Sequence, residues 1–66
     1  MGVLKVIELL AESDKSWEEA AQNAVKQASK SLKNIRSVNI TNQSCVVNGE
    51  RITNYRINAK ITFEVE

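Results

Sequence analysis

The feature that most constrains this 66-residue chain is a long alternating stretch near its C-terminal end, Arg51 to Val65. Its odd positions are largely apolar: Thr53, Tyr55, Ile57, Ala59, Ile61, Phe63 and Val65. The even positions between them are mostly polar or charged. Strict alternation predicts a β-strand with one apolar and one polar face. At about 3.3 Å per residue such a strand would span roughly 50 Å, whereas most strands have only about 5–6 residues.

A chain this short has little else with which to cover that strand. A domain of this size buries only about 60% of the surface of its unfolded chain. Cys45 is the only cysteine and the chain has no histidine, which excludes an internal disulfide and the familiar zinc patterns. Self-association is the remaining common way to stabilise a small domain. We therefore expect a homo-oligomer built from a single domain, residues 1–66.

Two further elements precede the second half of the chain. The apolar run Val3–Leu10 predicts a first strand, buried over much of both faces and ended by the polar residues 11–15. The sequence Ser16–Glu19 fits a capping box, in which the Ser16 hydroxyl and the Glu19 carboxylate each bind the other's backbone amide. Apolar residues at helical spacing then predict a helix from Trp17 to Leu32.

A second alternating strand leads from Ile35 to the dipeptide Asn48-Gly49, a strong hairpin signal. If these two residues form the turn, Val38 lies opposite Ala59 and Ile40 lies opposite Ile57, so that apolar side chains meet. A right-handed crossover through the helix makes the first two strands parallel, and the third can insert between them. The sequence thus predicts an α+β fold, a two-layer β-α-β-β unit with strand order 1-3-2.

Charge and hydropathy exclude several classes of partner. Nine Lys and Arg against eight Asp and Glu give a net charge of +1, and aromatic residues are few, so nucleic-acid binding is not expected. No apolar run is long enough to span a membrane and no signal-peptide pattern is present. We expect a cytoplasmic protein.

The chain has little catalytic equipment. Without histidine or a glycine-rich phosphate loop, we expect no enzyme activity and no catalytic residues. Cys45 is interpreted as structural, and Trp17 as a core or interface anchor rather than a ligand platform. The acidic residues near the helix start, Asp14, Glu18 and Glu19, fit capping and dipole complementarity. A Ca²⁺ site there is the alternative, and it would need ligands from a neighbouring subunit.

The polar face of the predicted sheet is the surface that could bind a ligand. Arg56 and Lys60 stand there among neutral polar residues: Ser37, Asn39, Thr41, Gln43, Asn54 and Asn58. The face is either solvated or an interface, or it holds a polar or anionic small molecule in an assembly. Arg56 would favour an anion.

Several segments together resemble the dodecin family. They are Leu4–Leu10 (LKVIELL), Ser16–Ala21 (SWEEAA), Lys33–Arg36 (KNIR) and Thr53–Phe63 (TNYRINAKITF), in the family's order and spacing. The resemblance implies a three-stranded antiparallel sheet partly wrapped around one helix, with twelve subunits forming a hollow sphere. In flavin-binding members, flavin pairs stack between tryptophans at subunit contacts, for storage or buffering rather than turnover.

Two positions of the family's flavin site differ here. Ser37 stands where flavin-binding dodecins have the stacking tryptophan, and Arg56 stands where they have a glutamine that hydrogen-bonds the flavin. Stacking on an aromatic ring is worth about 1–3 kcal/mol per base in nucleic-acid systems. We therefore expect affinity for FMN, riboflavin or FAD to be weak or lost. The alternative is a flavin-free assembly that binds a metal ion such as calcium or a small anion, or that is purely structural.

Overall fold

The computed structural model describes residues 2–65. Met1 and Glu66, the two ends of the expected domain, lie outside the described residues. The described residues form four elements: β1 (Leu4–Ser13), α1 (Trp17–Ala28), β2 (Ile35–Asn48) and β3 (Arg51–Glu64). The sheet order is β1-β3-β2, and both outer strands are antiparallel to β3. The predicted β-α-β-β unit with strand order 1-3-2 is confirmed.

Half of the predicted capping box is present at the start of α1. The Ser16 hydroxyl accepts a hydrogen bond from the Glu19 amide at 3.0 Å. The return half differs, because the Ser16 amide donates to the Ser13 hydroxyl at 3.4 Å. That hydroxyl in turn donates to the Glu19 carboxylate at 3.0 Å. Strand β1 runs three residues beyond its predicted end, to the buried Ser13. The Ser13 side chain thereby connects the end of β1 to the start of α1 through hydrogen bonds.

The helix ends at Ala28, four residues before the predicted Leu32. The Val25 carbonyl accepts hydrogen bonds from both the Ser29 amide, at 2.9 Å, and the Ser29 hydroxyl, at 2.7 Å, an arrangement that slightly destabilises a helix. The next two amides bond three residues back, at 3.2 and 3.1 Å, as in a tight 3₁₀-type turn. Leu32 still packs against the core as a half-buried side chain.

The core between helix and sheet is thin. Three alanines of α1 lie on three buried residues of β3: Ala20, Ala24 and Ala28 on Ile57, Ala59 and Ile61. Only Ile57 and Ile61 are large side chains that are fully buried within residues 2–65. The radius of gyration is 13.4 Å, where a compact 66-residue domain would have about 11 Å. The chain is therefore elongated, with the strands extending past the 12-residue helix.

The hairpin turn lies one residue later than predicted. Asn48 pairs with Arg51, so the two central turn residues are Gly49 and Glu50. Gly49 has a φ of +66°, and glycine in the first central position is typical of a type II′ turn. The predicted register is consequently wrong: Val38 lies opposite Ile61, not Ala59. The predicted register still placed apolar side chains opposite apolar ones, because a shift of two residues along a strand leaves every side chain on the same face of the sheet.

Three register shifts, of the kind that β-bulges produce, interrupt the pairing of β2 with β3 in the described residues. At the middle shift, Thr41 is skipped in the cross-strand pairing of β2 with β3. Beyond Thr41, the residues of β2 that had pointed to one side of the sheet therefore alternate with the opposite phase. Asn42 and Ser44 then share the face of Asn58 and Arg56 in β3, while Gln43 lies opposite the buried Ile57. The assignment of Thr41 and Gln43 to the polar face is therefore corrected in favour of Asn42 and Ser44.

Strand β1 is covered on one face only. Ile7, Leu9 and Ala11 are half-buried against the helix layer. The other face leaves Leu4, Val6 and Leu10 exposed by 54%, 56% and 65%. Burial of β1 on both faces is thus wrong for the single chain, because α1, the one layer that residues 2–65 place against the sheet, lies on one side of it.

Candidate functional site

The side of the sheet that faces away from α1 is called the open face here. Arg56, Asn58, Lys60 and Thr62 of β3 occupy its centre. Paired residues in neighbouring strands point to the same side. The open face therefore also carries Leu4, Val6, Glu8, Leu10 and Glu12 from β1, and Ser37, Asn39, Asn42 and Ser44 from β2. No other part of the described chain covers it.

Both residues singled out from the sequence lie on the open face, but far from each other. Ser37 pairs with Thr62, near one end of β3, whereas Arg56 pairs with Ser44. The two rows are six β3 residues apart, roughly 20 Å at about 3.3 Å per residue. One chain therefore does not bring Ser37 and Arg56 into one site, and a ligand touching both positions needs a second chain.

Arg56 is already paired within its own chain. Its guanidinium Nη2 lies 3.5 Å from Oε1 of Glu12, which is its direct cross-strand partner in β1. The two side chains are 44% and 45% exposed, so the pair stands at the surface of the open face. Glu12 was not predicted to lie on this face, because the expected end of β1 was Leu10. The alternation Glu8, Leu10, Glu12 was the signal that could have placed it on this face.

Apolar surface lies beside the polar centre of the open face. Leu4, Val6 and Leu10 are exposed along β1, the edge strand. Next to Leu10, a groove of about 360 Å³ runs between β1 and α1, lined by Leu9, Leu10, Ala11, Glu12, Asn23, Ala24 and Gln27. Apolar side chains beside an unpaired strand edge are typical of a surface that another chain covers.

Trp17 is used structurally. Its indole Nε1 donates to the Ser44 carbonyl of β2 at 3.1 Å. Its ring meets Tyr55 edge to face, with centroids 5.2 Å apart and planes at 77°. Trp17 also packs against the core cluster around Ala20 and Ile57. It therefore fastens the start of α1 to the hairpin, which agrees with the predicted role as an anchor. Cys45, opposite Tyr55 in the sheet, is half-buried.

The acidic residues at the helix start do not form a metal site on their own. Glu19 is engaged by Ser13, as described above, while Asp14 and Glu18 are exposed. Among residues 2–65 there is no group of three or more Cys, Asp or Glu side chains placed to hold a metal ion. A cation at this end would need ligands from another chain. The same residues include no helix long and apolar enough to cross a membrane.

Comparison with known proteins agrees with this architecture. The family model described as Dodecin matches residues 3–66. The chain belongs to the dodecin family. Calcium dodecin of Mycobacterium tuberculosis is 35% identical to it over 65 residues, which cover 98% of this chain and 92% of the relative.

Solved dodecin structures share the fold. A crystal structure of the Mycobacterium tuberculosis protein, described as a calcium-chelating immunodominant antigen with a novel calcium-binding site, superposes with a TM-score of 0.84 over 98% of this chain and 93% of that one. Dodecin from Streptomyces coelicolor superposes with a TM-score of 0.92 at 22% identity, covering 97% and 91% of the two chains. At that identity the likeness extends to the fold alone.

Proposed function

We propose that this dodecin is a self-assembling, non-catalytic binding protein. It holds a small ligand on its open face, between subunits of a hollow homododecamer, for storage or buffering. The observation that carries the proposal is the open face itself: it is uncovered, and it bears Ser37 and Arg56 too far apart to act within one chain. Its location in the cytoplasm stays a prediction.

The thin core supports the assembly part of the proposal. Two large, fully buried side chains in the described part of the chain are few for an independent domain, and small domains usually need an additional source of stability. Exposed Leu4, Val6 and Leu10 supply apolar area that a neighbouring copy would cover. Burial of such area contributes about 25 cal/mol per Å², so this strip can contribute substantially to association.

Flavin, the ligand that the family resemblance implies, is expected to bind weakly. Ser37 offers no ring for stacking, and Arg56 replaces a neutral amide donor while being engaged by Glu12. We expect riboflavin or FMN at micromolar concentration to keep its fluorescence when the protein is added. A double variant, Ser37→Trp with Arg56→Gln, should bind at least about tenfold more tightly and quench the fluorescence, given about 1–3 kcal/mol for each stacked ring.

The control carries the same new indole elsewhere. Gln22→Trp with Arg56→Gln places a tryptophan on an exposed helix position, and it should leave flavin fluorescence as the wild type does. Strong quenching by the wild-type protein would contradict the expected loss of flavin affinity. If the variant Ser37→Trp with Arg56→Gln also failed to quench flavin fluorescence, that result would contradict the placement of the flavin site on the open face.

A calcium-binding function is the second candidate, favoured by the relative named calcium dodecin at 35% identity. Since residues 2–65 hold no ready cluster of ligands, the ion would bind carboxylates of more than one chain, with Asp14 and Glu18 as the exposed candidates. Calcium at one hundred times its Kd would stabilise the folded state by about 2.7 kcal/mol. That corresponds to a rise in Tm of roughly 10 °C or more for a domain of this size.

Thermal unfolding with calcium and, separately, with magnesium at equal ionic strength would measure that rise. Asp14→Asn with Glu18→Gln should abolish the calcium effect, whereas Glu50→Gln in the hairpin turn should preserve it. A Tm that is indifferent to calcium would leave the small-molecule or purely structural assembly.

A further inference from the structure

The cations of the open face and its margin are each matched by a carboxylate of the same chain. Arg56 contacts Glu12 at 3.5 Å. Lys60 is the direct cross-strand partner of Glu8, four residues along the same two strands from Arg56 and Glu12. At the far end, the Arg36 guanidinium contacts Glu64 at 2.6 Å. Arg56 and Lys60, the two cations at the centre of the open face, therefore each lie opposite a carboxylate of β1.

Such matching changes what the face can recognise. An anion that approaches Arg56 also meets the negative charge of Glu12 a few ångströms away, so the two Coulomb terms largely cancel. The remaining groups in the centre of the face are neutral amides and hydroxyls, including Asn39, Asn42 and Asn58. Amide side chains both donate and accept hydrogen bonds. That chemistry suits an uncharged ligand with mixed donors and acceptors.

The position of Glu12 is fixed by its backbone. Its carbonyl accepts a hydrogen bond from Asn23 Nδ2 of α1 at 3.1 Å. The following residue, Ser13, is buried and hydrogen-bonded to Glu19. Glu12 is thus held from the helix side while its side chain lies on the open face beside Arg56.

We infer that Glu12 is a specificity-determining residue of the open face: by pairing with Arg56 it weakens the binding of anionic ligands and leaves the neutral amides to bind an uncharged molecule. The inference rests on the proposed function in taking the open face as the ligand site. It reverses the expectation from the sequence that Arg56 favours an anion. The same pairing disfavours phosphate-bearing molecules relative to their uncharged counterparts.

The test measures binding of inorganic phosphate by titration calorimetry at low ionic strength. Glu12→Gln removes the negative charge with little change of shape, and phosphate affinity should rise about fivefold, the effect of one charge at about 4 Å in water. Glu50→Gln makes the same charge change at an exposed position in the hairpin turn and should have no such effect. The gain should disappear in Glu12→Gln with Arg56→Gln, and it should shrink in 0.5 M salt because screening weakens it.

Two outcomes would overturn the inference. One is a Glu12→Gln variant that binds phosphate no better than the wild type. The other is a gain that survives removal of Arg56. The mass of each protein in solution is measured alongside: a monomeric wild type would refute the proposed assembly, whereas the phosphate result depends on a pair within one chain and is decided separately.

Discussion

Truncation of Ile61 to alanine is expected to lower the free energy of unfolding by about 2–5 kcal/mol. Ile61 is fully buried and packs against Ala24 and Ala28, with half-buried side chains from both outer strands around it. The alanine stripe of α1 cannot move into the cavity without losing its own contacts. Because native domains are stable by only about 5–15 kcal/mol in total, this single change would remove a large share.

The matched control is another isoleucine of the same strand. Ile52 is 54% exposed near the hairpin turn, so Ile52→Ala should change stability by much less. Urea unfolding, followed by the fluorescence of Trp17 at one fixed protein concentration, measures both variants. Equal losses from Ile52 and Ile61 would contradict the assignment of the core to the centre of β3.

Replacement of Leu10 by lysine is expected to break the assembly while the subunit keeps its secondary structure. Leu10 is 65% exposed in the single chain, so a lysine there costs the isolated fold little. In the proposed assembly the same position would lie under a neighbouring copy. An unpaired charge in such a contact costs several kcal/mol. Light scattering should show a large fall in mass. Circular dichroism should show little change at low temperature but a lower Tm, because the subunit loses the stability that assembly supplies.

Gln22→Lys provides the comparison, since it adds the same side chain at an exposed position of α1. That variant should keep the mass of the wild type. A Leu10→Lys protein that assembles normally would show that the apolar strip of β1 lies outside the subunit contacts.

The element order and the buried face of β3 could be predicted from the sequence because both depend on periodicity. Alternation around Ile57 and Ile61 identified the core face, and the serine cap before Trp17 identified the helix start. The helix end was harder to predict, since apolar spacing continues to Leu32 while the amides of Lys30 and Ser31 already bond three residues back.

The register and the bulges could not be predicted by the same means. A shift of two residues preserves every face, so matching apolar pairs could not distinguish the true partner of Val38 from the wrong one. The bulge at Thr41 depends on how the long hairpin bends, which periodicity does not encode. Because of this bulge, Asn42 and Ser44 lie on the open face in place of Thr41 and Gln43.

The sheet face of the candidate residues could be predicted, but the charges around them could not. Ser37 and Arg56 were placed on the correct face by alternation. Their separation of six β3 residues and the pairing of Arg56 with Glu12 required the full extent of β1 and the cross-strand register. Contacts between residues distant in the sequence carry this information.

The mass of the wild-type protein in solution tests the central claim most directly. Each chain has a mass of 7.4 kDa, so twelve chains amount to about 89 kDa. We expect light scattering coupled to size-exclusion chromatography to give that mass at micromolar protein concentration. A mass near 7.4 kDa would contradict the account, because the open face of the sheet would then be uncovered in the functional protein.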